Sequence, residues 1–180
     1  MIFSRRDGDG GAADNIVCGA GIDTVNGGDG NDIIRLLQGE AGDHVNGDGG
    51  TDTLDLTLLT TDDVILDFST SLWTTSADAT AKTIAGIEVV LGGGGADTLI
   101  RYKVADTLIG SGGNDVIDGG DGDDQLSGGS GADVIQGGGG ADAIYANTAL
   151  NIDGSSDGDT INAGDGNDSV LGSTGSDTVA

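Results

Sequence analysis

The sequence predicts an all-β fold: a parallel β-roll, a β-solenoid of nonapeptide repeats that fills the 180 residues as one domain. Three observations predict it. A glycine-rich nonapeptide recurs in tandem, an acid recurs at intervals of nine, and the residue two past each of those acids is Ile, Leu or Val.

The repeat is plainest in the middle of the chain. GGDGDDQLS begins at Gly119, GGSGADVIQ at Gly128 and GGGGADAIY at Gly137. All fit G-G-x-G-x-D-x-U-x, with U a large aliphatic residue. GGDGNDIIR from Gly27 is a further complete copy, and AGDGNDSVL from Ala163 lacks only the first glycine.

The acids carry the register further. Asp97, Asp106, Asp115, Asp124, Asp133 and Asp142 are nine apart, and Glu88 extends the series backwards. Asp14, Asp23 and Asp32 keep the spacing near the N-terminus. After an extra Leu36-Leu37, Asp43 and Asp52 resume it, and Asp159, Asp168 and Asp177 close the chain. The aliphatic residues two past these acids run from Ile16 and Val25 to Val170 and Val179.

The expected organisation is repeats over 9–55, a degenerate or calcium-free insertion over 56–82, repeats over 83–145, a degenerate repeat over 146–153 and repeats over 154–180. The insertion lacks glycine turns but holds the alternating LDLTL and VILDF, together with Phe68 and Trp73. Asp142 and Asp159 are 17 residues apart, which predicts a coil that continues with one deletion.

Each nonapeptide reads as one turn and one strand. Glycines let GGxGxD adopt positive φ and bring backbones close. The xUx triplet is a short strand with its middle side chain inward. Two nonapeptides complete a flattened coil of 18 residues, and coils stack as two parallel sheets about 4.8 Å apart along the stack. Each coil covers its neighbour, so a thin aliphatic core suffices.

Composition sharpens this reading. Thirty-one acidic residues face six Lys+Arg, for a net charge of −25. Such a chain repels itself and disfavours nucleic acid and anionic membranes as partners. High net charge with 3% aromatics is the composition of disorder, yet 36% of residues are apolar and stand in register with the acids. Cations that complete the fold resolve the conflict. Aspartates 18 apart, such as Asp97 and Asp115 or Asp124 and Asp142, lie on one edge in adjacent coils and repel unless a cation sits between them. Carboxylates and turn carbonyls form an all-oxygen donor set, which selects calcium over magnesium. Zinc is disfavoured, since His44 and Cys18 lie in different repeats. Pair counting predicts roughly seven to nine ions.

The remaining residues have plainer expected roles. His44 reads as a surface turn residue and Cys18 as an incidental free thiol at the start of a turn. Trp73, Tyr102 and Tyr145 read as packing or capping residues; Arg5, Arg6, Arg35 and Arg101 offset the acidic field. The turn RYKVAD lacks all three glycines, and its Lys103 opposes a metal. MIFSRR is followed by no long apolar stretch, so neither a cleavable signal peptide nor a transmembrane helix is expected.

The nonapeptides quoted above resemble the haemolysin-type calcium-binding repeat, the RTX family, over most of the chain outside 56–82. The resemblance implies a right-handed roll with calcium between adjacent turns. It implies ligation by the motif acids Asp14, Asp23, Asp32, Asp43, Asp52, Asp97, Asp106, Asp115, Asp124, Asp133, Asp142, Asp159, Asp168 and Asp177. It also implies turn carbonyl ligands such as Gly119, Asp121, Gly128, Ser130, Gly137 and Gly139. It further implies export without an N-terminal signal and folding outside the cell when calcium binds. The segment joining GTDTLDL to IAGIEVVLGGGGADTLI looks like the insertion of large RTX surface proteins. The chain departs from the family in having no clear export segment after Asp177, as a fragment of a longer protein would.

Two functions are weighed. One is a non-enzymatic structural module of a surface-layer or adhesin-like protein, with neighbouring copies or domains as partners. The other is the export and folding domain of a secreted protease, lipase or epimerase, which requires a catalytic segment such as H-E-x-x-H that is not in this sequence. An ice-binding roll is disfavoured, because the third turn position reads Gly112, Asp121, Ser130 and Gly139 rather than one repeated residue.

Overall fold

A computed structural model describes residues 11–19, 21–37, 43–101, 104–147, 158–173 and 175–180. Every regular element among them is a strand. The chain alternates between two sheets. It begins with β1 (Asn15–Val17), β2 (Thr24–Asp29), β3 (Ile33–Arg35), β4 (His44–Gly49) and β5 (Thr53–Asp55). The central strands are β6 (Val64–Asp67), β7 (Leu72–Thr75), β8 (Lys82–Ala85), β9 (Val89–Leu91) and β10 (Thr98–Ile100). The regular stack continues with β11 (Thr107–Gly112), β12 (Val116–Asp121), β13 (Gln125–Ser130), β14 (Val134–Gly139) and β15 (Ala143–Tyr145). It closes with β16 (Thr160–Asp165), β17 (Ser169–Leu171) and β18 (Thr178–Val179).

The first sheet has the order β1-β3-β5-β9-β11-β13-β15-β17 and is parallel throughout. The second has the order β18-β16-β14-β12-β10-β6-β7-β8-β4-β2. In the regular region each residue pairs with one 18 positions away, as Leu108 does with Leu126 and Ile117 with Ile135. The fold is the expected parallel β-roll.

Glycine is needed in the turns for two reasons at once. The second and fourth motif positions have positive φ, as at Gly129 (φ 111°) and Gly131 (φ 125°). A Cβ on Gly131 would also run into the carbonyl of Gly113 in the preceding turn. Asp48 (φ 69°) and Ser111 (φ 81°) hold the second position of their turns in the same region of backbone space, which is unfavourable for residues with a Cβ.

The core is the aliphatic column. Ile16, Val25, Ile34, Val45, Leu54, Val90, Leu99, Leu108, Ile117, Leu126, Ile135, Ile144 and Ile161 are all buried. Val170 is half-buried, and Val179, on edge strand β18, is 54% exposed.

Residues 56–82 do more than degenerate. After β5 the chain crosses to the second sheet, where β6 pairs in parallel with β10, β7 runs back antiparallel to β6, and β8 returns antiparallel to β7 to pair in parallel with β4. Three strands thus stand in the second sheet where the repeat supplies one. Leu56, Leu59, Val64, Leu66 and Trp73 carry the core through this meander, and the Trp73 indole donates to the Asp43 carbonyl at 3.1 Å.

Residues 148–157, which include most of the expected degenerate repeat 146–153, lie outside the described residues, as do Arg5, Arg6, Tyr102 and Lys103. On either side, β15 and β16 lie on different sheets, as consecutive repeats do. Asp142 and Asp159 are therefore one repeat apart in the stack, so the 17-residue spacing is one lengthened step and not, as the count suggested, two repeats with one deletion.

Glycine at the fourth turn position is expected to be indispensable, and at the third replaceable. Gly131→Ala should destabilise the calcium-saturated protein by about 2 kcal/mol or more. Gly139→Ala should stay within about 0.5 kcal/mol, because its Cβ would meet only Asp121 Oδ1 at 3.6 Å. Thermal melting of both variants checks this; equal losses would contradict the close-approach account.

Candidate metal centre

The motif acids form two rows, one entering each sheet. In the first row the backbone N–H of each acid except Glu88 donates to the carboxylate of the next. Asp14 donates to Asp32 (2.7 Å), Asp32 to Asp52 (2.8 Å) and Asp52 to Glu88 Oε2 (2.8 Å). Further on, Asp106 donates to Asp124 (2.9 Å), Asp124 to Asp142 (3.0 Å) and Asp142 to Asp168 (3.0 Å). In the second row Asp23 donates to Asp43 (2.8 Å). After the meander Asp97 donates to Asp115 (2.8 Å), Asp115 to Asp133 (2.9 Å), Asp133 to Asp159 (2.9 Å) and Asp159 to Asp177 (3.1 Å). Stacking therefore survives the irregular spacing 32/52, which the pair count included, and the spacings 133/159 and 142/168, which it did not connect.

These acids are interior groups. Asp23, Asp32, Asp43, Asp52, Asp97, Asp106, Asp115, Asp124, Asp133, Asp142 and Asp159 are all buried, while Asp14, Asp168 and Asp177 near the ends are half-buried. One oxygen of each carboxylate in these bonds takes the neighbouring acid's N–H. The other oxygen of Asp32, Asp52, Asp115, Asp124 and Asp142 is buried with no hydrogen-bond partner. An ionised oxygen so placed demands a positive partner.

The surroundings of that oxygen fit calcium. Asp115 Oδ2 points at the bare Cα of Gly110, the first residue of its own turn, and the Gly128 carbonyl of the next coil approaches the same spot. A Cβ placed on Gly110 would lie 2.6 Å from that carbonyl and closer still to the carboxylate. Asp124 Oδ2 and the Gly137 carbonyl meet in the same way over Gly119, with a Cβ there 2.7 Å from the carbonyl. Glycine at the first position thus keeps open a cradle lined by a carboxylate and a carbonyl. Among the described residues no three acidic, histidine or cysteine side chains converge as a metal-binding group. An ion in the cradle would take many of its oxygens from the backbone, as calcium tolerates.

The expected carbonyl donors differ in availability. Those of Ser130 and Gly139 already accept the N–H groups of Gly113 (2.9 Å) and Gly122 (2.7 Å), which leaves one lone pair on each. Gly128 and Gly137 present theirs at the cradles just described, and the Gly119 carbonyl holds the matching position in its turn. Asp121 belongs to β12 at the same turn position as Ser130 and Gly139.

Sequence reasoning missed the fifth turn position. The side chains of Asn31, Asn114 and Asp123 accept the N–H groups of Thr51 (3.0 Å), Ala132 (3.0 Å) and Ala141 (2.8 Å) in the next coil. The recurring Asn or Asp before the motif acid was the available signal. His44 lies in β4 rather than a turn, with Nδ1 2.8 Å from Thr83 Oγ1. Cys18 is fully buried, and burial, reinforced by Asp43 and Asp23, pushes its thiol up to about 12, so it stays an unreactive core residue.

Among the described residues, cations meet the acid rows beside the meander, whereas Arg35 pairs with Asp55, outside the rows, at 2.7 Å. In the second row, register places Lys82 beyond Asp43 and Val64 beside Asp97, so the acids stop on either side. Lys82 is buried, 3.2 Å from Asp78 Oδ2 and 4.7 Å from the Trp73 ring centre. The Val64 N–H still donates to Asp97 Oδ1, at 2.8 Å. In the first row, Arg101 donates from Nη2 to Asp106 Oδ1 and stacks 3.8 Å from the Phe68 ring centre.

Fold and site together define a cation-binding β-roll. A family model described as the RTX calcium-binding nonapeptide repeat (4 copies) matches residues 9–40, 84–100, 105–135, 118–148 and 151–179. These ranges cover well over half of the chain, which belongs to this family and is a calcium-binding module. A comparison with curated proteins finds no match. Among the described residues no helix is long and apolar enough to cross a membrane.

Burial gives the calcium-free chain a distinctive pH response. Burial pushes Asp115 up to about 7 and Asp97 and Asp124 up to about 6; neighbouring carboxylates, Asp133 and Asp97 at Asp115, add to it. Groups raised in the folded state favour folding when protonated. Their contribution is complete below the unfolded value of about 4 and is lost as pH rises through about 6 to 7. In chelator, β-sheet circular dichroism should therefore grow as pH is lowered from about 8 to about 4.5. A signal unchanged over that range would contradict the burial of these acids.

Proposed function

We propose that the chain is a structural module of an extracellular protein, stiffened by calcium and folded only when calcium is bound. The ligands on this reading are the motif acids and the first-position turn carbonyls. The observation that carries it is the convergence of a partnerless buried carboxylate oxygen and a carbonyl over a bare glycine Cα, at Gly110 and again at Gly119.

The chain's own residues do most of the work. Glycines hold each cradle open, aspartates aim one oxygen at it, and the other oxygen ties the coil to its neighbour. A bound calcium supplies the positive charge between carboxylates one coil apart. Without it, a thin core must offset both carboxylate repulsion and the entropy of ordering many glycines. Roughly seven to nine divalent ions would cancel much of the net charge of −25. Rolls with backbone-rich, moderately charged sites suit the millimolar calcium of extracellular fluids. A quasi-one-dimensional stack of repeats suits a spacer or surface element, such as part of a surface-layer or adhesin-like protein whose neighbours are further copies or domains. Export of the uncoiled chain would precede folding on this reading.

Asp124 tests the ligand assignment, because it bonds to Asp106 on one side and Asp142 on the other. Asp124→Ala should lower calcium stoichiometry in isothermal titration by about two ions. Asp118→Ala should leave it unchanged, since Asp118 lies on a strand of the second sheet outside the acid rows. Equal stoichiometries for the two variants would sink the assignment.

A further inference from the structure

We propose that Arg101 is a built-in counter-ion that takes the place of calcium between Glu88 and Asp106, so that this one step of the first acid row binds no metal. The inference rests on reading the other steps as calcium sites.

Three features single out this step. First, the ladder pattern breaks here. Elsewhere the N–H of one acid donates to the carboxylate of the next, but the Glu88 N–H turns back to the Asp52 carbonyl at 3.1 Å. The oxygen it would have met, Asp106 Oδ1, receives the Arg101 guanidinium instead. Second, Arg101 is the first residue of the turn that ends at Asp106. That position is glycine at Gly92, Gly110, Gly119, Gly128 and Gly137. Where those glycines leave an open cradle, Arg101 fills the space with its own side chain and brings a full positive charge. Third, the guanidinium is held in place. Arg101 and Asp106 are both buried, the Arg101 N–H donates to the Asp118 carbonyl at 2.9 Å, and the guanidinium stacks on Phe68. Glu88, Arg101 and Phe68 line one cavity of about 310 Å³. Phe68 follows β6, so the meander supplies the surface against which the guanidinium rests.

An arginine is never deprotonated under ordinary conditions, and a divalent ion beside it would face like charge. The guanidinium therefore opposes a divalent ion at this step and balances the charge of Asp106 through Oδ1 at any calcium concentration, while Asp106 Oδ2 stays buried with no hydrogen-bond partner. The sequence pointed to this turn through Lys103, which lies outside the described residues; among those described, the cation in contact with Asp106 is Arg101.

The test counts ions in the full chain. Arg101→Gln keeps polarity but removes the charge, and should bind one more calcium per chain than the parent by equilibrium dialysis or native mass spectrometry. Its melting temperature should also depend more steeply on the logarithm of free calcium, by the increment of one added ion. Arg101→Lys should retain the parent stoichiometry. An Arg101→Gln protein that folds with the parent's ion count would overturn the proposal. So would one that fails to fold in millimolar calcium, since the ion should replace the lost charge. A parent chain that binds no calcium would instead defeat the underlying reading of the other steps.

Discussion

Carboxylates buried one strand spacing apart are the constraint on which this structure depends. Strands in a sheet lie about 4.8 Å apart, and the repeat sets an acid at the mouth of each strand in both sheets. Asp115, Asp124 and Asp142 are each buried with an oxygen that no protein donor reaches. Such a row is stable only if charge is neutralised from outside or protons are taken up, and burial has already moved Asp115 to about 7. The aliphatic column cannot resolve the problem, because it is one residue deep. The same coil that stacks Leu108 on Leu126 also stacks Asp106 on Asp124. Folding and neutralisation are thus consequences of one geometry.

The middle of the chain shows a second solution to the same constraint. Between β5 and β9 the repeat is replaced by three strands, and there the motif positions become Lys82 and Val64 in one row, while Arg101 reaches Asp106 in the other. Aromatic residues are concentrated at this place: Trp73 meets Lys82 and Phe68 meets Arg101. Cation–π contacts and apolar burial hold these cations inside the protein. The roll thus has two ways of balancing charge, external ions along the regular coils and its own side chains at the meander.

Much of this was legible in the sequence, for a physical reason. A repeat in which each coil contacts only its neighbours turns sequence periodicity directly into spatial register. The spacing of Asp97 from Asp115, and the aliphatic residue two past each acid, therefore locate both sheets and the acid rows in the regular region. What was not legible lay where register depends on tertiary pairing. The 26-residue step from Asp133 to Asp159 cannot be counted out in nines, and only strand pairing shows that it is one coil. The meander is similar: LDLTL and VILDF announce strands, but nothing local says that β7 runs antiparallel. Arg101 was visible as a charge, yet its partner depends on the turn around it and on Phe68 from a distant strand.

The most direct test of the central claim is far-ultraviolet circular dichroism at neutral pH, with calcium in millimolar excess and again after exhaustive chelation. If external charge holds the acid rows together, the β-sheet spectrum should collapse on chelation and return when calcium is restored. A spectrum that keeps its full β-sheet signal without divalent ions would contradict the account, because the buried rows would then be stable on protein groups alone.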